Sequence, residues 1–237
     1  MNILITGTSS GIGYGLAKAY LSSKNQVCGI SRREPEDLMN DPLYRHLSLD
    51  LTRFEQVFEV LPAFVSNLNP LDLVILNSGV LGEIRYMKDT PLDHMKAVTE
   101  INVWANKNLL DILFGIGLEI RQVVGMSSKA ALRSTPGWGP YCLSKAGLDM
   151  LMNIYAKEYP DTHFIAFAPG LVDTAMQDYI YQIEDVGKYP SAKNLQEARY
   201  TEKMPDPIKA APTLIRGIER SLDYESGTHV DVREMEL

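Results

Sequence analysis

Along most of the chain, short runs of apolar residues alternate with longer segments in which apolar positions recur every three or four residues. The short runs predict strands and the longer segments predict helices. The predicted strands cover residues 2–6, 26–31, 45–49, 71–77, 121–127, 163–168 and 227–232. The predicted helices cover residues 13–23, 53–67, 91–115, 141–158 and 207–222.

The strand pattern also indicates how the sheet is built. The run Leu73-Val74-Ile75-Leu76 is continuously apolar, which is typical of a parallel strand buried on both faces. Strands alternate with helices over nearly the whole length, so we expect a Rossmann-type, doubly wound α/β sheet of about seven mostly parallel strands. The chain is then one domain over residues 1–237. The segment of about 174–207 lacks clean periodicity and is interpreted as a substrate lid.

Composition narrows the function. The 237 residues carry 23 basic and 30 acidic side chains, a net charge of −7, which disfavours nucleic acid or an anionic membrane as a partner. No apolar run is long enough for a membrane span, and the start of the sequence lacks a signal-peptide pattern, so we expect a cytoplasmic protein. The two cysteines are too few for a disulfide framework, and the four scattered histidines predict no metal site.

A glycine-rich turn follows the first predicted strand and opens the first helix. Gly7, Gly11 and Gly13 give the pattern Gly-x-x-x-Gly-x-Gly. Glycines permit positive φ and close backbone approach, and a helix N-terminus attracts a phosphate, so this turn favours a dinucleotide site over a plain connector. The candidate phosphate contacts are Gly7, Ser9, Ser10, Gly11, Ile12 and Gly13.

The end of the second predicted strand bears on the choice of dinucleotide. NAD would need a carboxylate here for the ribose 2′-OH, whereas arginine accommodates the 2′-phosphate of NADP. The chain has Arg32 and Arg33, with no carboxylate before Glu34. An arginine pair can also be plain solvated surface, but at this position its planar donors suit a phosphate. We therefore expect NADP(H) as the cofactor.

A second group of polar residues lies downstream. Ser128 follows the fifth predicted strand, and Tyr141 and Lys145 are one helical turn apart, so they share a helix face. A tyrosine phenol near a lysine cation is suited to acid–base chemistry, and a serine hydroxyl can bond to a reacting oxygen. Tyr-x-x-x-Lys alone is a common helix pair, but its place at the carboxyl end of a strand favours catalysis.

With these motifs in this order, the sequence resembles the short-chain dehydrogenase/reductase family over essentially its whole length. The resemblance implies that Tyr141 is the proton donor, Ser128 orients the carbonyl, Lys145 binds the nicotinamide ribose and lowers the pKa of Tyr141, and Asn102 holds a water in a proton relay. It further implies cofactor contacts from Asp50, Leu51, Asn77, Gly79, Tyr141, Lys145, Pro169, Gly170, Val172 and Thr174. Two departures are Leu76-Asn77-Ser78-Gly79, where the family often has Asn-Asn-Ala-Gly, and Ser10, where many NADP-dependent members carry a basic residue.

The stretch around Tyr141, the sequence Asp173-Thr174-Ala175-Met176-Gln177 and the ending Ser226–Asp231 are similar to the sepiapterin and benzil reductase branch. This resemblance implies substrate contacts from Ser128, Trp138, Tyr141, Met176 and Asp231, with Asp231 anchoring an amino-pyrimidine ring. The expected activity is NADPH-dependent reduction of a keto or vicinal dicarbonyl group, on a pterin or an aromatic diketone. Structural roles for Trp138 and Asp231 remain open.

Two other functions remain open from the sequence. One is an NAD(P)-dependent alcohol dehydrogenase of another small substrate, and the other is a regulator that senses NADP(H) without turning it over. The complete set of Asn102, Ser128, Tyr141 and Lys145 favours an enzyme, because a sensor needs no proton relay. In the resembling family, the helices corresponding to 91–115 and 141–158 pair across subunits, which implies a homodimer or homotetramer.

Overall fold

The computed structural model describes residues 1–237 and contains one seven-stranded sheet. All neighbouring strands pair in parallel, in the order β3-β2-β1-β4-β5-β6-β7. The strands are β1 (Asn2–Thr6), β2 (Gln26–Ser31), β3 (Tyr44–Ser48), β4 (Leu71–Leu76), β5 (Ile120–Met126), β6 (His163–Ala168) and β7 (His229–Asp231). The predicted Rossmann-type fold is confirmed.

Helices cover both faces of this sheet. They are α1 (Gly11–Ser22), α2 (Phe54–Val65), α3 (Leu92–Thr99), α4 (Ala105–Gly115), α5 (Gly139–Glu158), α6 (Ala175–Tyr181), α7 (Pro190–Ala198) and α8 (Pro207–Arg220). One core lies under α2, α4 and α5, with Leu61, Leu109 and Met152 fully buried. The other lies under α1 and α8, where Leu16 and Leu214 pack on the opposite face. No helix is long and apolar enough to cross a membrane.

The predicted helix over 91–115 is wrong in one respect, because the structure divides it. Between α3 and α4 lies a π-helical turn, Glu100–Trp104, with Asn102 in its middle. The Asn102 side chain donates to the carbonyl oxygen of Val80 and accepts from the N–H of Val80. A π-turn inserts one extra residue into a helix and is frequent at functional sites. Hydrophobic periodicity does not reveal it, since the apolar face continues on both sides.

The segment of about 174–207 contains two helices, although its sequence shows no clean period. They are α6, with seven residues, and α7, with nine. Helices this short give too few turns for periodicity to show, and tertiary contacts must stabilise them. Gln196 on α7 provides such contacts, because its side-chain amide donates to the carbonyl oxygens of Ile180 and Ile183, each at 2.9 Å.

The strand order places the candidate site residues at one edge of the sheet. The chain moves outward in one direction from β1 to β3 and in the other from β4 to β7. The order therefore reverses between β1 and β4, and ligands of open α/β sheets bind at the carboxyl ends of strands beside such a switch point. The glycine turn follows β1 and Ser128 follows β5, so both lie at this edge.

Candidate active site

A cleft of about 540 Å³ runs along the carboxyl edge of the sheet. Its lining extends from the glycine turn after β1 to the region of Ser128, Tyr141 and α6. Nearly all the predicted site residues lie in this lining. The exceptions are Gly13, Asn102 and Asp231. The cleft therefore brings the candidate phosphate turn and the candidate acid–base group into one continuous space.

The glycine turn has the backbone geometry that its sequence predicts. Gly7 and Gly11 adopt φ values of +77° and +62°, which side chains larger than hydrogen rarely tolerate. Ser10 begins α1 without a side-chain capping bond, so its hydroxyl does not occupy the N–H groups of the first turn. Free N–H groups at a helix N-terminus bind anions. Gly7, Ser9, Ser10, Gly11 and Ile12 line the cleft at this point and fit a pyrophosphate.

Gly13, a predicted cofactor contact, does not line the cleft. A Cβ atom at this position would lie 2.4 Å from the carbonyl oxygen of Gly7 and 2.5 Å from Nδ2 of Asn77. Gly13 is therefore required where α1 packs against the turn. Asn77 fastens the same region by donating from Nδ2 to the carbonyl oxygen of Thr6 at 2.9 Å.

Arg32 and Arg33 line the far end of the cleft, and no carboxylate lies within salt-bridge distance of either. Glu34 lies outside the lining and accepts a hydrogen bond from Ser48 at 3.3 Å. Asp50 accepts from the Thr52 hydroxyl at 2.8 Å. Although burial raises the pKa of Asp50, the bonds from Thr52 and the positive charge of Arg32 outweigh burial and lower it. This end of the cleft thus offers two free guanidinium groups.

Tyr141 and Lys145 project from the first turns of α5 beside Ser128. The Lys145 Nζ atom donates to the carbonyl oxygen of Met126 at 2.6 Å and lies 5.6 Å from the centre of the Tyr141 ring. The Ser128 hydroxyl oxygen accepts from the N–H of Ala130 at 3.2 Å. Serine, tyrosine and lysine therefore meet at one end of the cleft, as the sequence predicts.

Burial is the largest influence on the pKa values of both Tyr141 and Lys145. Burial raises the pKa of Tyr141 to about 12, with only the Ser128 hydroxyl acting in the opposite direction. Burial also lowers the pKa of Lys145 to about 8, opposed by the negative charge of Asp149. The cost of burying either charged form dominates here. The phenol is therefore protonated at neutral pH, the state that a proton donor requires.

Asn102 is fully buried, and its side chain is occupied. Besides the two bonds with Val80, its amide donates to the Ser144 hydroxyl at 2.9 Å. A relay water would have to bind the main-chain carbonyl of Asn102, which already accepts from Nδ2 of Asn106 at 2.9 Å. The side chain thus anchors the π-turn to the loop after β4.

An apolar wall faces the reacting end of the cleft. It is one cluster of buried side chains: Leu81, Ile84, Trp138, Tyr141, Ile180, Tyr189 and Ala192. Met176 of α6 packs against this cluster and lines the cleft, as does Trp138. The wall carries no charged side chain. The cleft thus has an apolar, partly aromatic surface at the end where Tyr141 lies.

Asp231 is not brought into the cleft lining, in contrast to its predicted contact with substrate. Its side chain is 4% exposed, and Arg233 donates to both carboxylate oxygens, from Nε at 2.9 Å and from Nη2 at 2.6 Å. Burial raises the pKa of Asp231, but the hydrogen bonds and the positive charge of Arg233 outweigh burial, so the pKa lies below its ordinary value. The carboxylate is occupied by a guanidinium that itself lines the cleft.

Arg233 and Lys129 are site residues that sequence reasoning missed. Both line the cleft, and Lys129 Nζ lies 2.8 Å from a carboxylate oxygen of Glu234. Neither belongs to a local motif. Arg233 reaches the loop after β6 because β7 pairs with β6, where Asp231 is opposite Ala168. The sequence does not show that β7 lies beside β6, and this neighbouring position is what brings Arg233 to the cleft.

Comparisons with known proteins agree with this geometry. A family model described as short chain dehydrogenase matches residues 1–185. A benzil reductase ((S)-benzoin forming) from Bacillus subtilis is 27% identical over 241 residues, which is 98% of this chain and 98% of that protein. A sepiapterin reductase from Meriones unguiculatus is 30% identical over 171 residues, 67% of this chain and 62% of that protein.

Solved structures share the fold at lower identity. A short-chain dehydrogenase/reductase from Saccharomyces cerevisiae superimposes with a TM-score of 0.83 at 24% identity, covering 98% of this chain and 96% of that one. A protein named ElxO, solved with NADP bound, gives a TM-score of 0.77 at 22% identity, covering 98% and 96%. These likenesses establish the architecture.

Proposed function

The chain belongs to the short-chain dehydrogenase family, and from that premise we propose that it is an NADPH-dependent carbonyl reductase acting on keto or vicinal dicarbonyl groups of apolar, aromatic substrates. The observation that carries this proposal is the position of Tyr141. Its protonated phenol lies between Ser128 and an apolar aromatic wall, in the same cleft as the glycine turn.

Free positive charge supports NADPH rather than NADH. Arg32 and Arg33 are unpaired at the end of the cleft where an adenosine ribose would lie, and Glu34 is directed to Ser48. The planar guanidinium donors suit a 2′-phosphate, and no carboxylate other than Asp50 lines this end of the cleft to bind a ribose hydroxyl. The similar fold of ElxO, which was solved with NADP bound, is consistent with this choice.

The bound cofactor would supply a hydride to the carbonyl carbon. The chain supplies the remaining groups. The Ser128 hydroxyl donates a hydrogen bond to the carbonyl oxygen, and Tyr141 transfers its proton to that oxygen as negative charge develops. Lys145, when protonated, stabilises the resulting phenolate of Tyr141 and orients the nicotinamide ribose. The proton donor Tyr141 thus lies on α5, and the hydroxyl that binds the carbonyl oxygen, that of Ser128, lies just after β5.

The apolar surface beside Tyr141 and the occupied carboxylate of Asp231 favour a diketone substrate over a pterin. Trp138, Ile180 and Met176 present apolar surface beside Tyr141, which suits an aromatic ring. An amino-pyrimidine would need a free carboxylate for its N–H donors, and the Asp231 carboxylate is already bonded to Arg233. Similarity to benzil reductase over nearly the full chain agrees with this assignment.

A substrate panel tests the proposal directly. NADPH oxidation is followed by absorbance with benzil, sepiapterin and a simple aliphatic ketone. We expect benzil to be reduced with the highest kcat/KM. Tyr141→Phe should lower kcat by at least about a hundredfold while NADPH still binds, because the proton donor is lost. Tyr155→Phe, which removes a buried phenol from the same helix, is the matched control. Turnover that survives in Tyr141→Phe would refute the assignment, and oxidation of alcohols alone would favour a dehydrogenase.

Exposed apolar side chains on α5 and the adjacent π-turn support assembly into a homodimer or homotetramer. Leu143, Met150 and Ile154 lie along one side of α5, and Trp104 of the π-turn is 52% exposed. Contiguous exposed apolar groups mark interaction surfaces. Light scattering of the purified protein gives the subunit number, and Met150→Glu should reduce it if this surface is the interface.

A further inference from the structure

A buried carboxylate lies one helical turn beyond Lys145 on α5. Asp149 is 15% exposed and is bonded on both sides. The Ser127 hydroxyl, at the end of β5, donates to Oδ1 of Asp149. The His229 Nδ1 atom, on β7, lies 2.7 Å from Oδ2. Three elements that carry parts of the active site therefore meet at one carboxylate.

The hydrogen bonds hold the Asp149 carboxylate in place. Its two oxygens contact the Ser127 hydroxyl and Nδ1 of His229, so the carboxylate lies between the serine and the histidine. In a nucleophilic triad the histidine contacts the serine; here the carboxylate does, so the arrangement is not such a triad.

Lys145 and Asp149 both contact the end of β5: Lys145 Nζ donates to the carbonyl oxygen of Met126, and the next residue, Ser127, donates to Asp149. Residues four apart on a helix lie on one face, with Cβ atoms about 5–6 Å from each other. The other groups around Lys145 are neutral: the Met126 carbonyl on β5, the Tyr141 phenol on α5 and the Asn102 side chain near Gly79. Asp149 is also the group whose charge raises the pKa of Lys145 against the effect of burial.

We propose that Asp149, held in place by Ser127 and His229, is a positioning residue whose negative charge keeps Lys145 protonated at the pH where reduction occurs. This rests on the proposed role of Lys145 in the reductase. Without the carboxylate, the buried amine becomes neutral near neutral pH. A neutral Lys145 no longer stabilises the phenolate of Tyr141, so proton transfer slows although every reacting group is present.

The direct test is the titration of Lys145, observed by NMR of lysine labelled with 13C at Cε and assigned by loss of the signal in Lys145→Met. In the wild-type protein we expect a midpoint near pH 8, in line with the pKa of Lys145. Asp149→Asn should lower it by about one pH unit or more, because removing a nearby opposite charge favours the neutral amine. Asp149→Glu keeps the charge and should restore most of the shift.

Two further variants distinguish the loss of charge at Asp149 from a general disturbance of the fold. Asp111→Asn removes a carboxylate of α4 that contacts Lys107 and the Tyr155 hydroxyl, and should leave the Lys145 midpoint unchanged. His229→Gln loosens Asp149 without neutralising it, so the midpoint should fall by less than in Asp149→Asn. If Asp149→Asn does not fold, His229→Gln gives the same test. An unchanged Lys145 midpoint in folded Asp149→Asn, or in His229→Gln where Asp149→Asn does not fold, overturns the proposal.

Activity provides an independent readout. The pH at which kcat/KM for benzil begins to depend on Lys145 protonation should move by the same amount as the NMR midpoint in Asp149→Asn. If the midpoint moves but no variant, including the wild type, reduces any carbonyl, Asp149 still controls the charge of Lys145 and the proposed function fails. The positioning role of Asp149 and the proposed reductase function can therefore fail separately.

Discussion

Replacing Lys145 by methionine should stabilise the fold while abolishing activity. Lys145 is 5% exposed, and burial lowers its pKa from 10.5 to about 8. The unfolded chain keeps the ordinary pKa, so at pH values between the two the unfolded state binds more protons. Stability therefore rises with pH across this window, and the full cost of the buried ammonium is present below it.

The size of the Lys145 pKa shift gives the expected change in the free energy of unfolding. A difference of about 2.5 pKa units corresponds to about 3 kcal/mol, at about 1.4 kcal/mol per unit. Methionine has a similar length and no charge, but it leaves the carbonyl of Met126 without the lysine donor, which costs about 1 kcal/mol. We expect Lys145→Met to raise the free energy of unfolding by about 2 kcal/mol at neutral pH.

Urea unfolding at a series of pH values, from neutral to about pH 10, measures this difference at one protein concentration. The advantage of Lys145→Met should shrink by about 2–3 kcal/mol across the series, because wild-type Lys145 becomes neutral in the folded state first. Lys157→Met, which alters an exposed lysine near the end of the same helix, should give no comparable pH dependence. A stability difference that stays constant with pH would refute the argument, because charge would then not be its source.

Further predictions concern the cofactor, the turn and the substrate. Arg32→Ala should raise the KM for NADPH about tenfold or more and leave that for NADH nearly unchanged; equal ratios before and after would argue against a 2′-phosphate contact. Gly13→Ala should lower the free energy of unfolding by about 1–3 kcal/mol and weaken NADPH binding, measured by urea unfolding and cofactor fluorescence, because its Cβ would overlap Gly7. Arg233→Gln should remove the bidentate partner of the Asp231 carboxylate, leaving Lys129 Nζ at 3.8 Å, and raise kcat/KM for sepiapterin relative to benzil; an unchanged ratio would show that the ion pair is structural.

The sequence predicts the fold to a large extent because its signals are local. Buried parallel strands give continuous apolar runs, and six of the seven observed strands lie within one residue of the predicted bounds at each end. The glycine turn, Ser128 and the Tyr141–Lys145 pair are also local patterns. They reach one cleft because parallel strands end at the same edge.

Other features depend on tertiary contacts and could not be read from spacing. The π-turn exists where Asn102 bonds to Val80, far away in sequence. Burial raises the pKa of Tyr141, and burial follows from tertiary packing rather than from spacing along the helix. The pairing of Asp231 with Arg233 is close in sequence, yet only the position of β7 beside β6 shows that Arg233 lines the cleft.

The shortest strand, β7, has a consequence for protein engineering. His229 and Asp231 lie on one side of it, while Val230 packs into the core under α8. One side chain contacts the carboxylate behind Lys145, and the other holds the guanidinium at the substrate end. Both lie outside residues 1–185, which match the family model. A chimera that exchanges the last dozen residues for those of a relative would therefore exchange the residues behind both contacts in a single step.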